Sequence, residues 1–174
     1  MGPEERRKSI LDALISSADP VTGQDLASRL KVSRQIIVQD IALLRAGGED
    51  VVATPRGYVL ARKASGARAQ AVVACKHGRD NVKEELLTIV HLGGEVIDVI
   101  VEHPLYGQMT GILMLRSEHD VDDFMERVEK TGASLLSALT QGVHLHTIRA
   151  NDRSTLRRII DGLKSRGYLL DERA

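Results

Sequence analysis

The residues best suited to chemistry in this chain stand in Gly142-Val143-His144-Leu145-His146-Thr147, where two imidazoles are one residue apart. In an extended strand alternate residues share a face, so His144 and His146 point the same way with Cβ atoms roughly 7 Å apart. Their rings can converge on one metal ion. Val143 and Leu145 are expected to face the opposite way, into the apolar core, which fixes the register of the pair. A lone His-x-His is common and needs further ligands to make a site. His77 stands where a first strand leaves the sheet, and Glu85 lies on the helix that follows. With Val82, Leu86, Ile89 and Val90 as that helix's buried stripe, a turn of about 100° per residue brings Glu85 beside the stripe and Glu84 near the far side. An inward carboxylate is costly unless paired or coordinated. His77, Glu85, His144 and His146 therefore form a candidate donor set for one divalent transition metal per chain, nickel or zinc first, iron or cobalt next. The competing readings are a salt bridge from Glu85 to an Arg or Lys and a surface position for His77.

The other histidines differ in kind. In Val101-Glu102-His103-Pro104-Leu105-Tyr106-Gly107, His103 and Tyr106 are candidates to bind an effector or to support the metal ligands from behind. His103 also shares a strand face with Val99 and Val101, so a buried, hydrogen-bonded histidine is the alternative. His91 and His119 fall on helices beside polar residues and read as surface. Cys75 shares strand parity with His77 but reads as a small buried residue.

These side chains need a sheet and helices to position them, and the composition supplies both. Hydrophobic residues make up 43% and charged residues 28%, with only 2% aromatics and no Trp, so Leu, Ile and Val must fill the core. The single Cys excludes an intramolecular disulfide, and no run of about 18 apolar residues appears. A cytoplasmic protein with no membrane partner is expected. Residues 1–69 carry 11 Lys+Arg against 8 Asp+Glu, residues 70–174 carry 13 against 16, and all six His lie in the second part. Such asymmetry points to two modules with different partners. The expected fold is a two-domain α/β chain: a winged helix-turn-helix over 1–63, a linker over 64–68, and a ferredoxin-like α+β sandwich over 69–174. In the second module the pattern predicts strands at 69–76, 95–103, 107–115 and 143–149, with helices at 80–92, 119–131 and 153–166 and a short final strand near Tyr168. Strand order stays open.

In the first module Ile10, Leu11, Leu14 and Ile15 mark a helix over 4–17 that Asp19-Pro20 ends. Thr22 and Ser33 are N-cap residues for two more helices, and Gly47-Gly48 closes the last. On that third helix Ile37, Ile41 and Leu44 face one side while Arg34, Gln35 and Gln39 project from the other. Arg can donate twice to guanine and Gln can pair with adenine, so Ser33, Arg34, Gln35 and Gln39 are candidates for major-groove contact. Val51-Val52-Ala53-Thr54 and Gly57-Tyr58-Val59-Leu60 read as a hairpin wing with Arg56 at its tip, reaching phosphate or a narrow minor groove. A helical protein-docking domain is the alternative, and Tyr58 reads as packing.

The stretches Val32-Ser33-Arg34-Gln35-Ile36-Ile37-Val38-Gln39-Asp40-Ile41 and Val52-Ala53-Thr54-Pro55-Arg56-Gly57-Tyr58-Val59-Leu60 resemble the DNA-binding half of the niacin-responsive transcriptional repressors. Lys83-Glu84-Glu85-Leu86-Leu87, Asp98-Val99-Ile100-Val101-Glu102-His103-Pro104-Leu105-Tyr106-Gly107 and Gly142-Val143-His144-Leu145-His146-Thr147-Ile148 resemble that family's three-histidine domain. The resemblance implies a homodimeric repressor of NAD-biosynthesis and niacin-uptake genes whose affinity for double-stranded operator DNA rises with nicotinic acid. It also implies a metal at His77, Glu85, His144 and His146, the set reached above from spacing. Two rivals remain: a metallohydrolase, since His ligands with a carboxylate and an open position also serve hydrolysis, and a repressor sensing a different small aromatic acid or the metal itself. No HExxH motif is present.

Overall fold

The computed structural model describes residues 2–61 and 68–170, and the chain divides into two compact units, Met1–Lys63 and Ala64–Ala174. The expected linker falls outside the described residues except for Arg68. No described helix is long and apolar enough to cross a membrane.

The first unit runs α1 (Pro3–Ser16), α2 (Gly23–Leu30), α3 (Arg34–Ala46), β1 (Val51–Thr54) and β2 (Gly57–Leu60). Pro3 opens α1, where its missing N–H has no helical partner to lose. The Thr22 hydroxyl accepts the Asp25 N–H at 3.0 Å and the Ser33 hydroxyl accepts the Ile36 N–H at 3.3 Å, capping α2 and α3. Between them Lys31 takes the left-handed conformation, with φ 55°, that ends α2 in a tight turn. Ile10 and Leu14, Leu26 and Ala27, and Ile37, Ile41 and Leu44 fill one core from the three helices. Asp40 is the buried exception; the Arg6 guanidinium grips it through Nε at 2.5 Å and Nη2 at 3.1 Å, tying α1 to α3. β1 and β2 pair antiparallel, and Val21 adds a bridge to Tyr58 with hydrogen bonds of 2.9 and 2.8 Å. A Cβ on Gly57, at φ 138°, would stand 2.5 Å from the Val21 carbonyl oxygen, so this close passage requires glycine.

The second unit runs β3 (Ala69–Lys76), α4 (Val82–His91), β4 (Gly94–His103), β5 (Gly107–Leu115), α5 (Glu118–Thr131), β6 (Val143–Ala150) and α6 (Arg153–Ser165), with 3-10 turns at Arg79–Asn81 and Leu136–Thr140. Ser117 and Asp152 cap α5 and α6 through the N–H groups of Asp120 and Thr155. The four strands form an antiparallel sheet in the order β3-β6-β4-β5. The elements alternate as in a ferredoxin-like sandwich, but here the last strand, β6, enters between β3 and β4. That insertion places β6 in the interior of the sheet. The short strand expected near Tyr168 is a single bridge, Cys75 to Leu169, flanked by bonds of 2.9 Å from Lys76 N–H to the Tyr168 carbonyl and from Leu170 N–H to the Ala74 carbonyl.

Leu86 and Ile89 from α4, Val96 from β4, Leu115 from β5, Ile148 and Ala150 from β6, and Ile159 and Leu163 from α6 form the second core. Because alternate residues share a face, Ile148 and Ala150 carry His144 and His146 inward with them, and all four are buried. This corrects the expected orientation of Val143 and Leu145. They are half-buried on the other face of the sheet and lie outside the core. The strand is apolar on both sides, so alternation alone did not decide which side the helices cover; Ile148 and Ala150 decide it.

Candidate metal centre and nucleic-acid interface

The second unit brings His77, Glu85, His144 and His146 together in one buried cluster, their side chains between 1% and 4% exposed. β6 carries the last two. β3 pairs with β6 so that Val73 lies opposite His146 and Cys75 opposite His144, and β3 ends just before His77. α4 lowers Glu85 onto the cluster from above the sheet, beside its buried Leu86 and Ile89. One carboxylate oxygen, Glu85 Oε2, meets Nε2 of His77 at 2.6 Å, of His144 at 3.4 Å and of His146 at 3.5 Å. Glu85 thus pairs with histidines, while Glu84 on the solvent side is 65% exposed.

The other ring nitrogens fix the chemistry of these contacts. Nδ1 of His77 faces the Gly78 carbonyl at 3.0 Å, that of His144 the Gly142 carbonyl at 2.9 Å, and that of His146 the Asp98 carbonyl at 2.6 Å. A carbonyl oxygen only accepts, so each Nδ1 carries the proton and donates it. Each neutral ring then presents a bare Nε2 lone pair to a carboxylate. Three such contacts repel unless protons or a cation stand between them. Where protons take that place the rings donate to Glu85: burial alone would raise its pKa, but hydrogen bonds from His144, His146 and His77 then hold it far below the usual carboxylate range. Burial lowers the His77 pKa, and the Glu85 carboxylate and Gly78 carbonyl more than offset this, leaving it above the ordinary value.

A divalent ion fits this donor set. Nitrogen and oxygen ligands bound at roughly 2.0–2.2 Å stand about 3 to 3.5 Å from one another, and two of the three Nε2–Oε2 separations, 3.4 and 3.5 Å, have that size. Glu85 Oε1 is buried with no hydrogen-bond partner among the described residues. An acceptor so placed costs free energy unless something positive reaches it. Imidazoles anchored at Nδ1 on backbone carbonyls are the arrangement that orients Nε2 toward a metal.

A cavity of about 30 Å3 adjoins the cluster, bounded by Glu85, His144 and His146 and by apolar Val99, Leu113, Phe124 and Leu135. Leu135 and Ser137 also wall a cleft of about 250 Å3 that reaches His77 and Arg79. His103 and Tyr106 are not brought to this place. They sit at the β4–β5 turn, where His103 Nδ1 accepts the N–H groups of Leu105 at 3.1 Å and Tyr106 at 3.3 Å, and Tyr106 is 71% exposed. His103 is half-buried, with its ring 5.0 Å from that of Tyr106. His91 and His119 are on the surface beside Glu118 and Asp123.

Three contributors escaped sequence reasoning. Gly142, at φ 90°, offers one carbonyl to both the His144 ring and the His77 N–H; a glycine just before a His-x-His strand was the available signal. Asp98 lies beside a bulge in β4 that turns its carbonyl toward His146, and a bulge leaves no mark in the residue pattern. Tyr168 packs its ring 5.3 Å from His77. Cys75 is fully buried, in keeping with its reading as a small buried residue, and its sulfur also lies in the cluster; burial first, and then the Glu85 carboxylate, push its thiol pKa well up.

In the first unit, α3 separates its faces as its sequence requires. Ile37, Ile41 and Leu44 are buried, while Ser33, Arg34, Gln35 and Gln39 are exposed at and beyond the helix N-terminus. Arg56 lies at the β1–β2 turn but is half-buried, with its N–H on the Thr54 hydroxyl at 3.2 Å.

Residues 6–59 match an HTH domain and residues 70–172 match the 3H domain. The chain is 50% identical to the probable transcription repressor NiaR of Thermotoga maritima over 97% of its own length and 95% of that protein's. It is 40% identical to the transcription repressor NadR of Bacillus subtilis over 96% and 94% of the two chains. With a helix-turn-helix unit, a buried three-histidine cluster and likeness of this depth over nearly its whole length, the chain belongs to the family of transcription repressors that includes those two proteins.

Proposed function

We propose that this chain is a cytoplasmic, homodimeric repressor of NAD-biosynthesis and niacin-uptake genes that binds operator DNA through α3 and takes nicotinic acid as co-repressor at a metal-containing second unit. The observation that carries the sensing half is the convergence of three Nδ1-anchored imidazoles on Glu85, whose second oxygen has no partner among the described residues. His77, Glu85, His144 and His146 would hold the ion. When bound, the ion supplies a Lewis-acidic position suited to a pyridine nitrogen or a carboxylate. The chain's own part is to orient those ligands and to keep water scarce through Val99, Leu113, Phe124 and Leu135. A cavity of about 30 Å3 holds little more than a water molecule. An aromatic acid therefore enters by displacing the Leu135–Ser137 wall, and that displacement is what a co-repressor can use to favour one conformation over another.

The chain is not an enzyme: both relatives are transcription repressors, and an HTH domain precedes the donor set. The experiment that tests the proposal measures metal content and DNA binding together. His144→Ala and His146→Ala should each lose the bound metal and the response to nicotinic acid while keeping a folded first unit. Full metal stoichiometry in both variants would overturn the site.

A further inference from the structure

We infer that Cys75 is a fifth protein ligand of the metal centre, so that the ion is held by three imidazoles, one carboxylate and one thiolate. The inference rests on the proposed metal site and extends it to a residue of different chemistry. In register, Cys75 on β3 is the Cα partner of His144 on β6, and His77 follows immediately beyond the end of β3. Side chains so paired have Cβ atoms roughly 5 Å apart. The two strands therefore set Cys75 directly across from His144, and Glu85 closes the set from α4. The ligating atoms of Cys75, Glu85 and His144 all lie within 4.8 Å of one another. A sulfur bound at roughly 2.3 Å and a nitrogen or oxygen bound at roughly 2.1 Å stand at most about 4.4 Å apart, so side-chain movements of a few tenths of an ångström bring these atoms onto one ion.

A second observation points to a ligand here. Glu85 is 1% exposed, and its Oε1 has no hydrogen-bond partner among the described residues. A cation beside the sulfur accounts for both the orphaned oxygen and the placing of a thiol among imidazoles. Val73, the neighbour on the same face, is opposite His146 and belongs to the apolar core. Cys75 packs in that core as well, so position 75 stands where the core meets the site. On binding, the sulfur–metal bond forms, the S–H bond breaks and the proton leaves to solvent, so charge and atoms balance. One soft sulfur added to borderline nitrogens shifts preference toward zinc, cobalt, iron or nickel and away from manganese and magnesium.

Cobalt(II) reports sulfur ligation directly. Full-length protein loaded with one equivalent should show a sulfur-to-cobalt charge-transfer band in the near ultraviolet. Cys75→Ser should keep its cobalt and lose that band, and its affinity for zinc relative to manganese should fall on the order of tenfold or more. Cys75→Ala gives the same reading should the serine variant fail to fold. Cobalt bound by the wild type with ligand-field bands but no charge-transfer band overturns the inference and leaves the His and Glu site standing. So does an unchanged zinc-to-manganese ratio in the variants. A wild type that takes up no cobalt, zinc or nickel overturns both the inference and the site it rests on.

Discussion

At Glu85 one oxygen meets three imidazoles while the other meets nothing among the described residues, and this imbalance makes the residue sensitive to a single-atom change. Glu85→Gln keeps the shape and removes the charge, so metal affinity should drop on the order of 100-fold, as measured by competition with a chelator; an undiminished affinity would remove Glu85 from the ligands. The pH response of the same cluster has a definite sign. In metal-free protein the His77 pKa is raised, so its contribution to stability is complete below the unfolded value of about 6.5 and fades as pH climbs through the folded value. The Glu85 pKa is lowered, so its contribution is present above about 4.3 and fades only as pH falls through a much lower folded value. Relative to Glu85→Gln, chelator-treated wild type should thus lose thermal stability as pH rises above about 6.5. Zinc binding should strengthen over the same interval, because metal must displace fewer protons as His77 becomes neutral. A metal-free wild type gaining stability over that interval relative to the variant would contradict this account. His144, His146 and Glu85 were legible because a period of two and a turn of about 100° are fixed geometry. The Asp98 carbonyl was not, since nothing in the side-chain pattern records where a strand bulges.

Elements hold these residues in place, and two of them can be tested apart from any ligand. A Cβ on Gly142 would stand 2.3 Å from the His77 carbonyl oxygen, at a φ of 90°. Gly142→Ala should cost about 1–3 kcal/mol of stability and weaken metal binding with it, as read from denaturant unfolding with and without zinc; a neutral result would mean that the segment entering β6 can shift freely. On α3, exposed Arg34 and buried Ile37 should behave oppositely. Arg34→Ala should weaken operator binding by about 1–3 kcal/mol with little change in melting temperature, whereas Ile37→Ala should destabilise the first unit by about 2–5 kcal/mol. Equal operator affinity for Arg34→Ala and wild type would take that side chain out of the interface. Helix ends were readable where Thr22 and Ser33 cap them, because capping is local chemistry. The insertion of β6 between β3 and β4 was not readable, since strand order is settled by packing between residues far apart in sequence. For the same reason the inward face of β6 was misjudged while its parity was right.

In the whole molecule one unit exposes a polar helix face and the other buries a donor set, a division already present in the chain as a basic, histidine-free front and an acidic, histidine-bearing back. A repressor that senses a small acid must make these two halves depend on each other, which is a coupling free energy between two binding events. In a homodimer that coupling acts on the spacing of two α3 helices against half-sites roughly 34 Å apart. On the proposed function, the same coupling requires that operator DNA tighten the binding of nicotinic acid by the factor with which the acid tightens DNA. The direct test is operator affinity measured across a nicotinic acid titration, with zinc- or nickel-loaded protein beside chelator-treated protein. The loaded protein should gain about 5- to 150-fold and the chelator-treated protein should gain nothing. Equal gains in both, or none in either, would contradict a metal-dependent nicotinic acid switch.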